Sequence, residues 1–168
     1  SVKSNTRGAF DWEVAASRYD YSKDQKRQNG AATTLPAADS GGAGTLADGS
    51  GTGWNTLALK GIWRPNWGNS GVAGAQGEHI VDFGFQQDSF KLKYLTSNIT
   101  SNWVTGAPAS VANDVGGKTR LQSFYAQDAW AFAPRWKAVL GARAESWTAS
   151  SGYTRIPGAT PAINTLWP

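Results

Sequence analysis

The residues that could make or break bonds are few. The sequence has one histidine, His79, no cysteine, and 12 carboxylates among 168 residues. One histidine cannot build a three-histidine or two-histidine facial-triad metal site. Without cysteine there is no thiolate nucleophile, no cysteine-ligated zinc and no disulfide framework. His79 alternates with Val81, Phe83 and Phe85, and a histidine on the apolar side of a strand reads as a packed or interfacial residue before it reads as a general base. Asp11, Glu13, Asp82, Asp88, Asp128 and Glu145 could supply the two carboxyls that straddle a glycosidic bond. No local motif brings two of them together for that purpose. Asp11, Glu13, Asp82 and Glu145 fall instead on polar strand faces, where Lys60, Arg64, Lys137 and Arg143 are available as ion-pair partners. The run Gly41-Gly42-Ala43-Gly44 lacks the following Lys-Ser/Thr and the helix of a phosphate loop. The expectation is a protein that is not an enzyme and needs no cofactor or metal.

Charge narrows the partners. The net charge of +4 is modest, and Lys and Arg are scattered from Lys3 to Arg155 except for a cluster at Lys23 to Arg27 that also contains Asp24. A nucleic-acid binder wants a basic face studded with aromatic platforms, so nucleic acid is not an expected partner. The chain carries 20 Gly, 9 Trp, 5 Tyr and 6 Phe, with 17% charged residues against roughly 25% in an ordinary soluble domain. Such a balance favours an all-β protein with long loops. With no Met and no basic-then-apolar leader before Phe10, the chain reads as a mature domain or a piece of one. No window approaches the roughly 18 consecutive apolar residues of a membrane helix, so a membrane role would have to use strands.

Period-two alternation marks the strands. Phe10, Trp12, Val14 and Ala16 oppose Asp11, Glu13, Ala15 and Ser17. Leu57, Leu59, Gly61 and Trp63 oppose Thr56, Ala58, Lys60 and Arg64, with Ile62 out of pattern. His79, Val81, Phe83 and Phe85 oppose Ile80, Asp82, Gly84, Gln86 and Asp88. About a tight turn at Ala133-Pro134-Arg135, Trp136, Ala138, Leu140, Ala142 and Ala144 oppose Lys137, Gly141, Arg143 and Glu145, with Val139 the exception. Five strands are expected, over 9–20, 54–64, 78–88, 119–132 and 136–147, the register of 119–132 being unassigned. Between them lie Ser22 to Gly53, almost free of large apolar side chains, a turn from Pro65 to Gly68 lengthened by Gly71 to Gly77, and Phe90 to Lys118, with a short strand extension near Lys91 to Leu95. After Trp147 the chain reads as loop. So long a featureless stretch as Ser22 to Gly53 counts against a compact soluble domain, whereas long loops on one side and short turns on the other are the polarity of an outer-membrane barrel.

The aromatics follow the same polarity. Trp12, Trp63, Trp67, Trp130 and Trp136 lie near the short-turn ends; Tyr19, Tyr21, Trp54, Tyr94 and Trp147 lie near the long-loop ends. Two bands one strand apart are what headgroup belts require, since these rings are half apolar and half polar. Trp12, Trp63, Trp130, Trp136 and Trp147 are therefore expected as membrane-interface residues. A soluble sandwich with tryptophan in its core remains the other reading of the same strands.

The succession Tyr125, Gln127, Asp128, Trp130, then Phe132, Ala133, Pro134, Trp136, then Leu140, Gly141, Arg143 resembles a down-turn-up hairpin of TonB-dependent outer-membrane receptors. Gly8-Ala9-Phe10-Asp11-Trp12-Glu13, followed by Ser17-Arg18-Tyr19-Asp20-Tyr21, resembles another barrel strand of that family. The resemblance implies an all-β, antiparallel up-and-down meander, with residues 1–168 forming part of a transmembrane β-barrel with long extracellular loops. A family barrel has about 22 strands and a plugged lumen. It implies location in the bacterial outer membrane, contact with outer-membrane lipid, and energy-coupled uptake of a ferric siderophore or similar nutrient. Neither a plug domain nor a coupling box is read in these residues, so contact with the TonB complex is expected through parts absent from this chain. Trp54, Tyr94 and Trp103, in the loops and upper strands, are the expected ligand contacts. The alternative is a soluble secreted or periplasmic β-barrel or sandwich that binds a small ligand or sugar.

Overall fold

The computed structural model describes residues 1–30, 41–65, 78–159 and 163–167. All regular structure among them is strand: β1 (Val2–Lys3), β2 (Phe10–Asp20), β3 (Gln25–Asn29), β4 (Gly44–Asp48), β5 (Gly53–Trp63), β6 (His79–Ile99), β7 (Ser110–Ala133), β8 (Trp136–Ile156) and β9 (Ile163–Trp167). They form one sheet in the order β1-β2-β5-β6-β7-β8-β9, with β4 also pairing with β6 and β3 pairing with β4. The result is an antiparallel meander. β2 and β5 coincide with the alternating segments to within one residue at each end.

The other strands run further than their apolar alternation indicates. β6 continues to Ile99, β7 already begins at Ser110, and β8 extends to Ile156 and pairs with β9, Gly152 opposite Trp167 and Ile156 opposite Ile163. Part of Ser22 to Gly53 is also strand, since Gln25 to Asn29 pair antiparallel with Asp48 to Gly44, and β4 adds to β6 with Leu46 opposite Ser97. These segments lack alternation because the backbone ladder, not an apolar face, holds them, and a ladder leaves little mark on side-chain type. The turn expected at Pro65 to Gly68, its extension to Gly77 and Trp67 lie outside the described residues after Pro65.

The chain divides into two compact units. The first comprises Ser1–Arg18, Asn55–Ser89 and Arg120–Thr148. Its amphipathicity is inverted: Phe10, Trp12, Val14, Leu59, Trp63, Phe83, Phe124, Trp130, Phe132, Trp136 and Leu140 are exposed, while Asp11 at 3% exposure, Glu78 at 5% and Ser123 at 1% are buried. Asp11 is the hub at the start of β2. Its Oδ1 accepts from Ser4 Oγ (3.1 Å), Thr6 N (2.8 Å) and Thr6 Oγ1 (2.9 Å). Its Oδ2 accepts from Arg7 N (3.2 Å) and from Arg64 Nη1 (2.9 Å). Arg64 Nη1 also donates to the Gly8 carbonyl, and the Arg64 amide donates to Ala9. One carboxylate thus ties the connection between β1 and β2 to the far end of β5. Further along the polar face Lys60 pairs with Asp82 at 2.9 Å, and Arg143 bridges Glu145 at 2.6 Å and Ser123 Oγ at 3.0 Å.

Two glycines in this unit make room for rings. A Cβ on Gly61 would meet the Phe83 ring, and one on Gly84 would stand 2.6 Å from Tyr125 and 2.5 Å from the Leu59 carbonyl oxygen. Each ring lies across a neighbouring strand's glycine and covers backbone that has no side chain of its own. Because Phe83 and Gly84 are adjacent on β6, one such pair sits on each side of the sheet.

The second unit comprises Tyr19–Trp54, Phe90–Thr119 and Ala149–Pro168. Its small core is Leu46, Ser97 and Ile99, the last 1% exposed. Tyr21 N donates to the Thr52 carbonyl and Gly51 N to the Tyr21 carbonyl, so the turn after β4 is stitched to the end of β2. Arg27 Nη1 reaches across to the carbonyls of Trp103 (3.1 Å) and Gly106 (2.8 Å), clamping the loop between β6 and β7.

Breaking an ion pair from one side leaves the other charge uncompensated, so Asp11→Ala is expected to destabilise the fold. Arg64→Ala should cost less in the Asp11→Ala background than alone, measured by urea unfolding followed by tryptophan fluorescence; additive losses would show that the pair is uncoupled. At Gly84 a Val must displace backbone as well as the Tyr125 ring, and Gly84→Val is expected to cost about 1–3 kcal/mol in the same assay, with loss of the Tyr125 ring's fixed environment.

Candidate ligand face and membrane surface

Register builds the site. Arg64 N donates to Ala9 O, and Tyr21 N donates to Thr52 O. Counting along the antiparallel pair from Tyr21 and Thr52 brings Tyr19 directly across from Trp54. Their rings stack at 4.6 Å between centroids and 21° between planes, and Tyr21 meets both edge-on, at 5.2 Å from Tyr19 and 6.4 Å from Trp54. All three are exposed. Alternation along β2 puts Tyr19 on the side of Asp11 and Glu13, and alternation along β5 puts Trp54 on the side of Lys60. The cluster therefore belongs to the polar face of these strands, not to the face of Phe10, Trp12 and Leu59.

Three exposed aromatic rings, two stacked and the third edge-on to both, form an amphipathic platform that can stack on a planar or sugar-like ligand and offer two phenol hydroxyls. Of the expected ligand contacts, the structure brings Trp54 into this platform with Tyr19 and Tyr21. Tyr94 is exposed on β6 and lies outside the ring cluster. Trp103 is half-buried, its amide donating to Gly42 O and its carbonyl accepting from Arg27, with Gly44 passing under its Cβ. It holds the loop to the β3–β4 hairpin. Sequence reasoning assigned Tyr19 and Tyr21 to a belt by their distance along the strand; the shift of Tyr19 and Tyr21 onto the side of Asp11 was the signal that they face the other way.

Trp12, Trp63, Trp130 and Trp136 all stand on the apolar face and are exposed. Trp130 stacks on His79, centroids 5.6 Å apart and planes 7° apart, and on Phe132 at 5.4 Å. His79 Nδ1 lies 2.7 Å from Asp128 Oδ2, so the one histidine sits in an aromatic and carboxylate setting near the Pro134–Arg135 turn. No group of three or more histidine, cysteine or carboxylate side chains that could hold a metal occurs among the described residues. Trp147, exposed on β8, alternates with Arg143 and Glu145 and so shares their polar side.

The apolar face carries a shallow trough of about 470 Å³ lined by Phe10, Leu59, Gly61, Phe83, Phe85 and Phe124. Among the described residues the buried hydrophobic side chains are only Leu46, Ile99 and Ala131. A soluble sandwich hides its apolar faces between two sheets; here large apolar side chains are exposed while Asp11 and Glu78 are buried. The family model for the TonB dependent receptor-like β-barrel matches residues 2–168. This chain belongs to the TonB-dependent receptor β-barrel family. As barrel segment of such a receptor it sits in the bacterial outer membrane, serves import and not catalysis, and meets lipid with its apolar face. No curated protein and no solved structure matches the chain.

The β3–β4 hairpin is pinned by Asp48. Its Oδ1 accepts from Ser50 N and its Oδ2 from Gln25 Nε2, both at 2.8 Å. These bonds, those from Ser50 first, hold the Asp48 carboxyl below its ordinary value of 3.8. A carboxyl with a depressed folded pKa contributes stability above its unfolded pKa and loses it as pH falls through the folded value. Amide protection of the β3–β4 hairpin is accordingly expected to hold at pH 5 and above and to fall below about pH 4, and Asp48→Asn should remove that pH dependence in hydrogen exchange.

Proposed function

We propose that this barrel segment belongs to a receptor that takes up a ferric siderophore or a similar scarce nutrient, engaging the TonB complex through another part of the same receptor. The observation that carries the reading is the Tyr19–Tyr21–Trp54 platform on the polar face of strands whose opposite face is apolar. Iron complexes of the chelator type present flat conjugated rings or amide-rich arms, and stacked indole and phenol rings bind such surfaces with little loss of side-chain freedom. Tyr94 joins as a further ligand contact from β6. On the apolar face Trp12, Trp63, Trp130 and Trp136 form the headgroup belt next to the short turn; Trp147, on the polar side, belongs with the ligand-facing residues.

Removing one stacking partner from an aromatic pair costs about 0.5–1.5 kcal/mol beyond the lost area. Trp54→Ala combined with Tyr19→Ala is therefore expected to weaken binding of the imported iron complex by about tenfold or more, while Trp12→Ala leaves it unchanged. The measurement is uptake of radioactive iron from ferric catecholates and ferric hydroxamates by iron-starved cells carrying each variant. Uptake of every iron complex at the native rate in cells lacking the receptor would remove iron from its substrate class.

A further inference from the structure

The second unit holds a groove of about 130 Å³ lined by three cations, Lys91 and Lys93 of β6 and Lys118 of β7, with Ser151 and Tyr153 of β8 in its wall. No acid lines it. Among the described residues no carboxylate stands within ion-pair distance of these lysines. Two acids of the same unit are engaged elsewhere. Asp114 accepts from the Tyr153 hydroxyl at 3.2 Å and faces Arg155 at 3.9 Å. Asp48, whose field reaches Lys93, holds Ser50 and Gln25.

The strands hold the lysines where they are. Lys93 is fixed by its backbone: its amide donates to Thr52 Oγ1 at 3.0 Å and its carbonyl accepts from the same hydroxyl at 2.8 Å. On β7 the two residues before Lys118 carry no side chain. A Cβ on Gly116 would stand 2.6 Å from the Tyr153 ring, and one on Gly117 would stand 3.3 Å from Gly152 Cα. The Tyr153 ring is held in turn by Asp114 at its hydroxyl and by the Arg155 guanidinium, 5.0 Å from its centre. Ser151, two residues earlier on β8, has φ 55°, a left-handed conformation that a serine adopts at a cost and that concentrates at binding sites. Like charges on neighbouring strands repel, so three ammonium groups around one groove weaken the sheet unless an anion sits among them.

Size and chemistry define the occupant. At about 30 Å³ per water, the groove of about 130 Å³ has room for about four waters. That is enough for one tetrahedral oxyanion and too little for a chelate complex. Ammonium groups and a hydroxyl supply donors on every side, which suits an anion rich in acceptor oxygens. We propose that Lys91, Lys93 and Lys118 bind a free divalent oxyanion of the phosphate class. Lysine meets such an anion as a compact point charge on a flexible stem. Bound there, the anion ties β6 to β7 by ionic contacts at a place where Gly116 and Gly117 provide no side-chain contact of their own. The site is independent of which nutrient the receptor imports.

The test is equilibrium dialysis of the full receptor, in neutral detergent free of phosphate, against radioactive inorganic phosphate, with ionic strength held constant by sodium chloride. Phosphate is expected to bind saturably, to be displaced by sulfate but not by chloride, and to slow amide hydrogen exchange over residues 91–93 and 116–118. Lys118→Gln should weaken binding by about fivefold, and Lys91→Gln, Lys93→Gln and Lys118→Gln together by on the order of a hundredfold. The three Lys→Arg changes should retain it. Because all three lysines are exposed, folding of each variant is checked independently by heat-modified gel migration. Absence of saturable phosphate binding, or unchanged affinity in the folded triple Gln variant, would overturn the proposal. So would displacement of phosphate by micromolar phosphatidylglycerol, which would make a lipid headgroup the occupant.

Discussion

A sheet that turns its apolar face to lipid gains nothing from hiding that face, so its cohesion has to come from the backbone ladder and from polar contacts on the other side. Every strand N–H and C=O in hydrocarbon must find a partner within the sheet, because no water is there to replace it. Antiparallel neighbours in chain order meet that demand with short connections, as the two-residue Pro134–Arg135 turn between β7 and β8 shows. The same demand places charges inward. Asp11, at 3% exposure, is stable as a carboxylate because five donors from Ser4, Thr6, Arg7 and Arg64 surround it. In a soluble protein so saturated a carboxylate is an exception in an apolar core; here it belongs to the working interior of the sheet.

Packing follows a different rule as well. With few buried aliphatic side chains to interdigitate, the first unit fits aromatic rings over glycines, Phe83 over Gly61 and Tyr125 over Gly84. The rings shield bare backbone and fix the lateral spacing of strands without adding bulk between them. This explains how a glycine-rich sequence supports strands as long as β6, β7 and β8. In the second unit the devices are those of ordinary water-exposed protein: Arg27 on two carbonyls, Asp48 in its turn, and a small Leu46–Ile99 core.

Much of this was legible in the residues. The segments around Phe10–Asp20 and Gly53–Trp63 announced themselves because one face must be apolar for lipid and the other polar, and Asp11 with Arg64, Asp82 with Lys60 and Glu145 with Arg143 were already on matching faces. What escaped was the continuation of β6, β7 and β8 and the β3–β4 hairpin. Outside lipid neither face has to be apolar, so the periodic signal fades although the ladder goes on. The aromatic platform escaped for another reason. Tyr19 and Trp54 are 35 positions apart, and only the register set by the Tyr21–Thr52 and Arg64–Ala9 hydrogen bonds puts one ring on the other.

By itself the sequence determined the strand chemistry, the apolar strand faces and the family, because each depends on alternation within a short segment or on a local run of residue types. The tertiary structure alone decided that the Tyr19 and Trp54 rings stack, that Trp103 fastens a loop and that Lys91, Lys93 and Lys118 line one groove. Those are relations between strands, and a shift of one residue in pairing would move every one of these side chains to the opposite face.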